Sequence, residues 1–201
     1  MMAFITPFSR SMPNFLLRLL WLCCLLVPLA RAAEVEVVQP QLVAGEEAYT
    51  LSADFNFEFN PRLEEAVAKG VVLYFVVDFE MNRPRWYWVD EKVLSRTQTF
   101  RLSYQPLTRQ YRLATGALHR SFASLPQALE ALSRLRGWTV IEKSDAAYRP
   151  GETYMASLRF RLDINQLPRP FQISAIGNKE WTLGSDWKIW QATLPVPEAP
   201  R

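Results

Sequence analysis

The sequence predicts a mainly-β fold: an antiparallel β-sandwich carrying two short helices. Three observations predict it. Two long segments, Tyr49 to Phe59 and Tyr154 to Ile164, alternate apolar and polar residues with period two. Between them, Val71 to Met81 is a nearly unbroken apolar run, as expected of a central strand buried on both faces for most of its length. Every glycine falls at a proposed turn or helix end, so the local signals agree with one another.

The elements follow in order. Glu34 to Ala44 reads as a first strand, with Pro40 marking an edge or a bulge. Gly45-Glu46-Glu47 turns the chain into the alternating strand that starts at Tyr49. Asn60-Pro61 then opens a short helix, since Asn caps well and Pro suits the first helical position. Leu63, Ala66 and Val67 form its apolar stripe, and Gly70 closes it. After the Val71–Met81 strand, Val93 to Tyr104 and Arg109 to Ala114 make a hairpin around Gln105-Pro106-Leu107-Thr108. Gly116 marks a further turn.

Ser124 to Gln127 has capping-box spacing, and Leu125, Ala128, Leu129, Leu132 and Leu135 recur at helical spacing up to Gly137. Trp138 to Glu142 is a short strand. The turn Arg149-Pro150-Gly151-Glu152 leads into the second alternating strand. That Pro-Gly-Glu-Thr-Tyr entry looks like strand entries of immunoglobulin and fibronectin-type sandwiches, so the expected fold is immunoglobulin-like. The chain then reads as irregular until a last strand, Trp187 to Leu194. Residues 195–201, with three prolines, form an expected flexible tail.

Charge separates address from body. The chain has 23 Lys+Arg against 20 Asp+Glu, a formal net charge of +3. Arg10, Arg18 and Arg31 account for the whole excess, because residues 1–33 contain no acidic residue. The apolar stretch Leu19 to Leu29 follows two of these arginines and runs into Ala30-Arg31-Ala32-Ala33. A basic region, a short apolar run and an A-x-A site make a secretory signal peptide over residues 1–33. The expected location is periplasmic or secreted. The alternative is an inner-membrane anchor formed by an uncleaved N-terminal segment. The expected domain, residues 34–194, together with its tail is charge-balanced, which gives no support to a nucleic-acid partner. Both cysteines, Cys23 and Cys24, lie in the leader, so the body has no disulfide, thiolate metal site or Cys nucleophile.

Few residues carry a chemical signal, and no cofactor or metal motif is found. His119 is the lone histidine, and it reads as a surface or turn residue rather than a catalytic base. Asp78 and Glu80 sit at i, i+2 and share a strand face. Such a pair could serve glycoside hydrolysis or hold calcium. The stronger reading is a charge ladder facing Arg159 and Arg161, also at i, i+2. The most unusual stretch is Arg83-Pro84-Arg85-Trp86-Tyr87-Trp88. Arg83, Arg85, Trp86 and Trp88 are the candidate binding residues. If the segment is extended, Trp86 and Trp88 share a face; they then either pack in the core or stand exposed as an interface anchor or sugar platform. No catalytic residue is expected. The function class is a non-enzymatic interaction module with an envelope protein partner. The alternative is a module binding cell-envelope glycan through Arg83 to Trp88. Contact with a membrane is expected only through the leader, if uncleaved.

Several segments together resemble a known family. They are Asn60 to Ala66, Gly70 to Phe75, Arg83 to Trp88, Leu102 to Tyr104, Arg109 to Leu113 and Leu167 to Gln172. The chain is similar over its whole body to proteobacterial exported proteins catalogued as domain-of-unknown-function family 4390. The resemblance implies no activity, substrate or cofactor, and therefore no catalytic residues. It also implies an accessory role in the envelope, linked to a membrane sensor histidine kinase of the nitrogen-regulation type.

Overall fold

The computed structural model describes residues 35–87, 90–142, 145, 149 and 151–194. The expected leader, Trp88 and the expected tail lie outside the described residues. Among the described residues nine strands form two antiparallel sheets, one ordered β1-β2-β7 and one ordered β6-β5-β4-β3-β8-β9. The strands are β1 (Glu36–Ala44), β2 (Ala48–Asn56), β3 (Leu73–Arg83), β4 (Glu91–Gln105) and β5 (Gln110–Thr115), then β6 (Leu118–Phe122), β7 (Arg134–Glu142), β8 (Thr153–Leu162) and β9 (Lys188–Thr193). The helices among the described residues are α1 (Pro61–Ala68), α2 (Leu125–Leu132) and α3 (Arg169–Ala175). The architecture is the expected antiparallel β-sandwich.

The two alternating segments are the inner strands of the sandwich. On β2, Tyr49, Leu51, Ala53 and Phe55 are buried and their neighbours are not. On β8, Tyr154, Ala156, Leu158, Phe160 and Leu162 face the same core. The sheets meet where Phe55 packs on Phe160 with centroids 4.8 Å apart. Phe75 of β3 and Phe57 close around the same ring at 5.6 and 5.5 Å. Each aromatic contact of this kind adds to the area it removes from water. The alternation outlasts the strand: β2 ends at Asn56, and Phe57 and Phe59 reach the core from the connection to α1.

β3 lies between β4 and β8, central as expected. Its burial is one-sided, however. Leu73, Phe75, Val77, Phe79 and Met81 are sealed inside, whereas Tyr74, Asp78 and Glu80 are only half-buried on the outer face. Val76 is the outer-face exception, at 3% exposure. An antiparallel sheet can leave one face to water, so the long apolar run does not require two covered faces.

Asn60 caps α1 as anticipated, its Oδ1 accepting from the Leu63 N–H at 3.0 Å. Its amide also donates to the Glu180 carbonyl at 2.8 Å, tying the helix to the chain before β9. Leu63, Ala66 and Val67 are buried, and Gly70 takes φ +85. β1 has both expected features of Pro40: it is an edge strand, and its register slips between Val38 and Gln41.

Four local expectations require correction. The helix expected to reach Gly137 stops at Leu132, and Ser124 makes no side-chain cap bond. Leu135 and Gly137 belong to β7, where Arg136 and Gly137 together oppose Ser52 as a bulge. Gly137 takes φ +60 there, and its N–H donates to Ser52 Oγ at 3.3 Å. β6 is a ninth strand, unanticipated because all of its residues except Phe122 are exposed, which leaves no alternation to detect. α3 lies in a region expected to be irregular; its prolines occupy the cap and first turn, where they interrupt no helical hydrogen bond. Finally, the extended arrangement considered for the arginine–aromatic stretch does not hold over its described part, Arg83 to Tyr87. β3 ends at Arg83, Pro84 has no N–H to extend the ladder, and Trp86-Tyr87 lie in a turn.

Candidate functional site

The β3–β4 hairpin carries the most exposed aromatic pair among the described residues. Trp86 is 94% exposed and Tyr87 63%. Their rings meet edge to face, with centroids 5.0 Å apart and planes at 72°. The structure thus places Trp86 in solvent at a hairpin tip rather than in the core.

Charge holds the base of this tip. Arg83 and Glu91 are directly paired across the strands, and Arg83 Nη1 lies 3.1 Å from Glu91 Oε2. Arg85 Nη2 binds the same carboxylate oxygen from the loop side. The Arg85 backbone N–H donates to Asp90 Oδ1 at 3.4 Å, closing the loop. Arg83 also reaches the start of β8: its Nε lies 3.3 Å from Glu152 Oε2, and its guanidinium sits 5.6 Å over the Tyr154 ring. Tyr154 Oη donates to Glu152 at 3.0 Å and accepts from the Arg149 N–H at 2.8 Å.

These contacts stabilise the charged carboxylates. The hydrogen bond from Arg85, reinforced by the charges of Arg85 and Arg83, holds the Glu91 carboxyl below its usual range. The Tyr154 hydroxyl, followed by the charges of Arg83 and Arg149, does the same for Glu152. Both arginines of the stretch therefore serve as braces, while Trp86 and Tyr87 present the free surface.

The other candidates lie elsewhere. On the outer face of the six-stranded sheet Asp78 forms the expected ladder with Arg159 and Arg161, whereas Glu80 faces Ser157 and turns to β4 instead. Asp78 Oδ2 accepts from Arg159 Nη2 at 2.9 Å and Arg161 Nε at 3.0 Å, and its Oδ1 accepts from Thr97 at 3.1 Å. Burial pushes this carboxyl up, but the two guanidiniums outweigh burial and hold it below the usual range. Glu80 pairs with Lys92 at 2.7 Å. His119 is exposed on β6. The other described tryptophans are structural: Trp181 is buried, Trp138 and Trp190 pack on Phe79, and Trp187 lies 4.5 Å beneath the Arg159 guanidinium. Among the described residues no group of three His, Cys, Asp or Glu side chains could hold a metal, and no helix is long and apolar enough to cross a membrane.

A family model described as a domain of unknown function, DUF4390, matches residues 32–191. The chain belongs to this family. No curated protein and no solved structure matches it. The matched span contains every described strand of the DUF4390 sandwich except the last two residues of β9, and it includes the aromatic tip.

Proposed function

We propose that this DUF4390 chain is an exported, non-enzymatic β-sandwich that serves the bacterial envelope as a protein-interaction module, with the β3–β4 tip as its docking point. The observation that carries this reading is Trp86, which is 94% exposed on a loop braced by Arg83, Arg85 and Glu91. A large ring held in water on a pre-ordered turn loses little freedom when a partner covers it. Tryptophan and arginine are also the residues on which interfaces most depend. The leader pattern over residues 1–33 supports export. The family resemblance makes a membrane sensor kinase the first partner to probe.

The test is photo-crosslinking in cells from position 87, with Leu107 as control. Leu107 is 99% exposed. It follows the far end of β4, a strand of 15 residues, so it lies roughly 45 Å away at about 3.3 Å per residue. A discrete protein adduct from position 87, absent from position 107 and lost with Trp86→Ala, is expected. Identical adducts from both positions, or none from 87, would overturn the proposal. Titration of tryptophan fluorescence with peptidoglycan and lipopolysaccharide fragments tests the sugar-platform alternative. A saturable response lost in Trp86→Ala would replace a protein partner with a glycan.

A further inference from the structure

A second surface lies where the six-stranded sheet meets α2 and the start of β7. Register fixes which β6 side chains look inward. Leu118 pairs with Thr115, Arg120 with Leu113 and Phe122 with Tyr111. Thr115 pairs in turn with Phe100, and Leu113 with Leu102. Phe100, Leu102 and Leu113 are buried core residues, so Leu118, Arg120 and Phe122 share the core-facing side. Yet Leu118 is 79% exposed. α2 packs over β5 and β6 without closing on them. What remains is an open groove of about 680 Å³.

The composition of the groove is asymmetric. Its apolar surface comes from Phe100, Leu113, Leu118, Phe122 and Leu135. Its charged lining is Arg120, Arg134 and Arg136 against Glu130 alone. Glu130 is matched by Arg134 at 2.8 Å, and Arg136 binds Asp54 of β2. Arg120 has no ion-pair partner among the described residues and lies 5.4 Å over the Phe122 ring. Gln98, also on the inner face through its pairing with Val77, lines the groove with a buried Oε1 that accepts no hydrogen bond. An unmatched cation, an unsatisfied polar atom and an apolar floor coincide in one concavity of ligand-binding size.

We propose that this groove binds a single-chain amphiphile with an anionic head. Its chain covers Leu118, Phe122 and Leu135, and its head pairs with Arg120. Charge complementarity selects this occupant. A purely apolar ligand leaves Arg120 unmatched, and a cationic chain is repelled by the arginine excess. A fatty acid and a lysophospholipid share the required chemistry and differ in head group, carboxylate or phosphate. The site is separate from the Trp86 tip, so either reading can fail without the other.

Calorimetric titration of the full-length protein tests it, using dodecanoate, dodecyl phosphate, dodecan-1-ol and dodecyltrimethylammonium below micelle-forming concentrations. At least one anion should bind saturably, the alcohol about tenfold more weakly for want of the charge-assisted bond, and the cation not at all. The tighter anion identifies the head group. Arg120→Gln should weaken the anion about tenfold and leave the alcohol unchanged. Leu118→Asp should abolish binding of both. Both residues are exposed, so neither change burdens the fold. Anion binding that survives both substitutions, or an alcohol that binds as tightly as the anion, overturns the proposal.

Discussion

Asp78→Asn is expected to cost far more stability than Glu80→Gln, although the two carboxylates are equivalent neighbours in sequence. The asparagine amide keeps one acceptor oxygen but no charge, so the bonds from Arg159 and Arg161 lose their charge assistance and both guanidiniums lose their counter-ion. Asp78 is 13% exposed, while the two arginines are 33% and 35% exposed. That places the cluster between exposed pairs, worth about 0.2–1 kcal/mol, and fully buried pairs, whose breakage costs about 3–5 kcal/mol. The expected loss is about 2 kcal/mol, or about 4–8 °C in Tm for a domain of this size. Glu80 is 25% exposed and its single partner Lys92 55%, so Glu80→Gln should cost under about 0.5 kcal/mol. Urea unfolding followed by far-UV circular dichroism measures both. The pH dependence adds a sign. The native Asp78 carboxyl is held below its ordinary value, so its contribution is complete above the unfolded value near 3.9 and fades as pH falls through that value toward the lower native one. The gap between wild type and Asp78→Asn should stay constant from about pH 6 to 8 and narrow below about pH 4. Equal costs for the two variants, or a gap that widens in acid, would refute the reasoning.

Three further outcomes follow from the geometry. Asn60→Ala should cost about 1 kcal/mol in urea unfolding, whereas Ser124→Ala should be neutral because Ser124 makes no cap bond. Phe160→Ala removes the ring shared by Phe55, Phe57 and Phe75 and should cost about 3–5 kcal/mol in the same assay. Trp86→Ala should leave the urea midpoint nearly unchanged, since the ring is 94% exposed, while removing the most exposed tryptophan among the described residues and with it part of the acrylamide quenching.

The elements legible in sequence are those fixed by neighbours along the chain. β2, β8 and α1 declare themselves because their burial pattern and capping residue lie within a few positions. The α2–β7 boundary does not, because Leu135 suits a helical stripe as well as a strand and only pairing with Ala53 assigns it. The arginine–aromatic stretch is conspicuous in sequence, but its exposure is not. Trp138 and Trp190 show that an equally apolar ring can pack inside. The clue that separates Trp86 is Pro84, which ends the β3 ladder just before it. The groove was not foreseeable at all: Phe100, Leu118 and Leu135 come from three separate strands and meet only through tertiary packing.

The central place of β3 also sets an order of events. Its contact with β4 joins residues 19 apart, as in Thr97 with Asp78, while its contact with β8 joins residues 81 apart, as in Arg159 with Asp78. The nearer partner closes the smaller loop. During synthesis, β3 and β4 can therefore pair while β8 is still absent. That intermediate has an open edge beside Phe75, Val77 and Phe79, which is the kind of edge that recruits other chains. Asp78 and Glu80 put negative charge along it. Before Arg159 and Arg161 arrive, the two carboxylates guard the half-built sheet against copies of itself; afterwards Asp78 fastens β8 through both arginines, while Glu80 stays with Lys92 of β4.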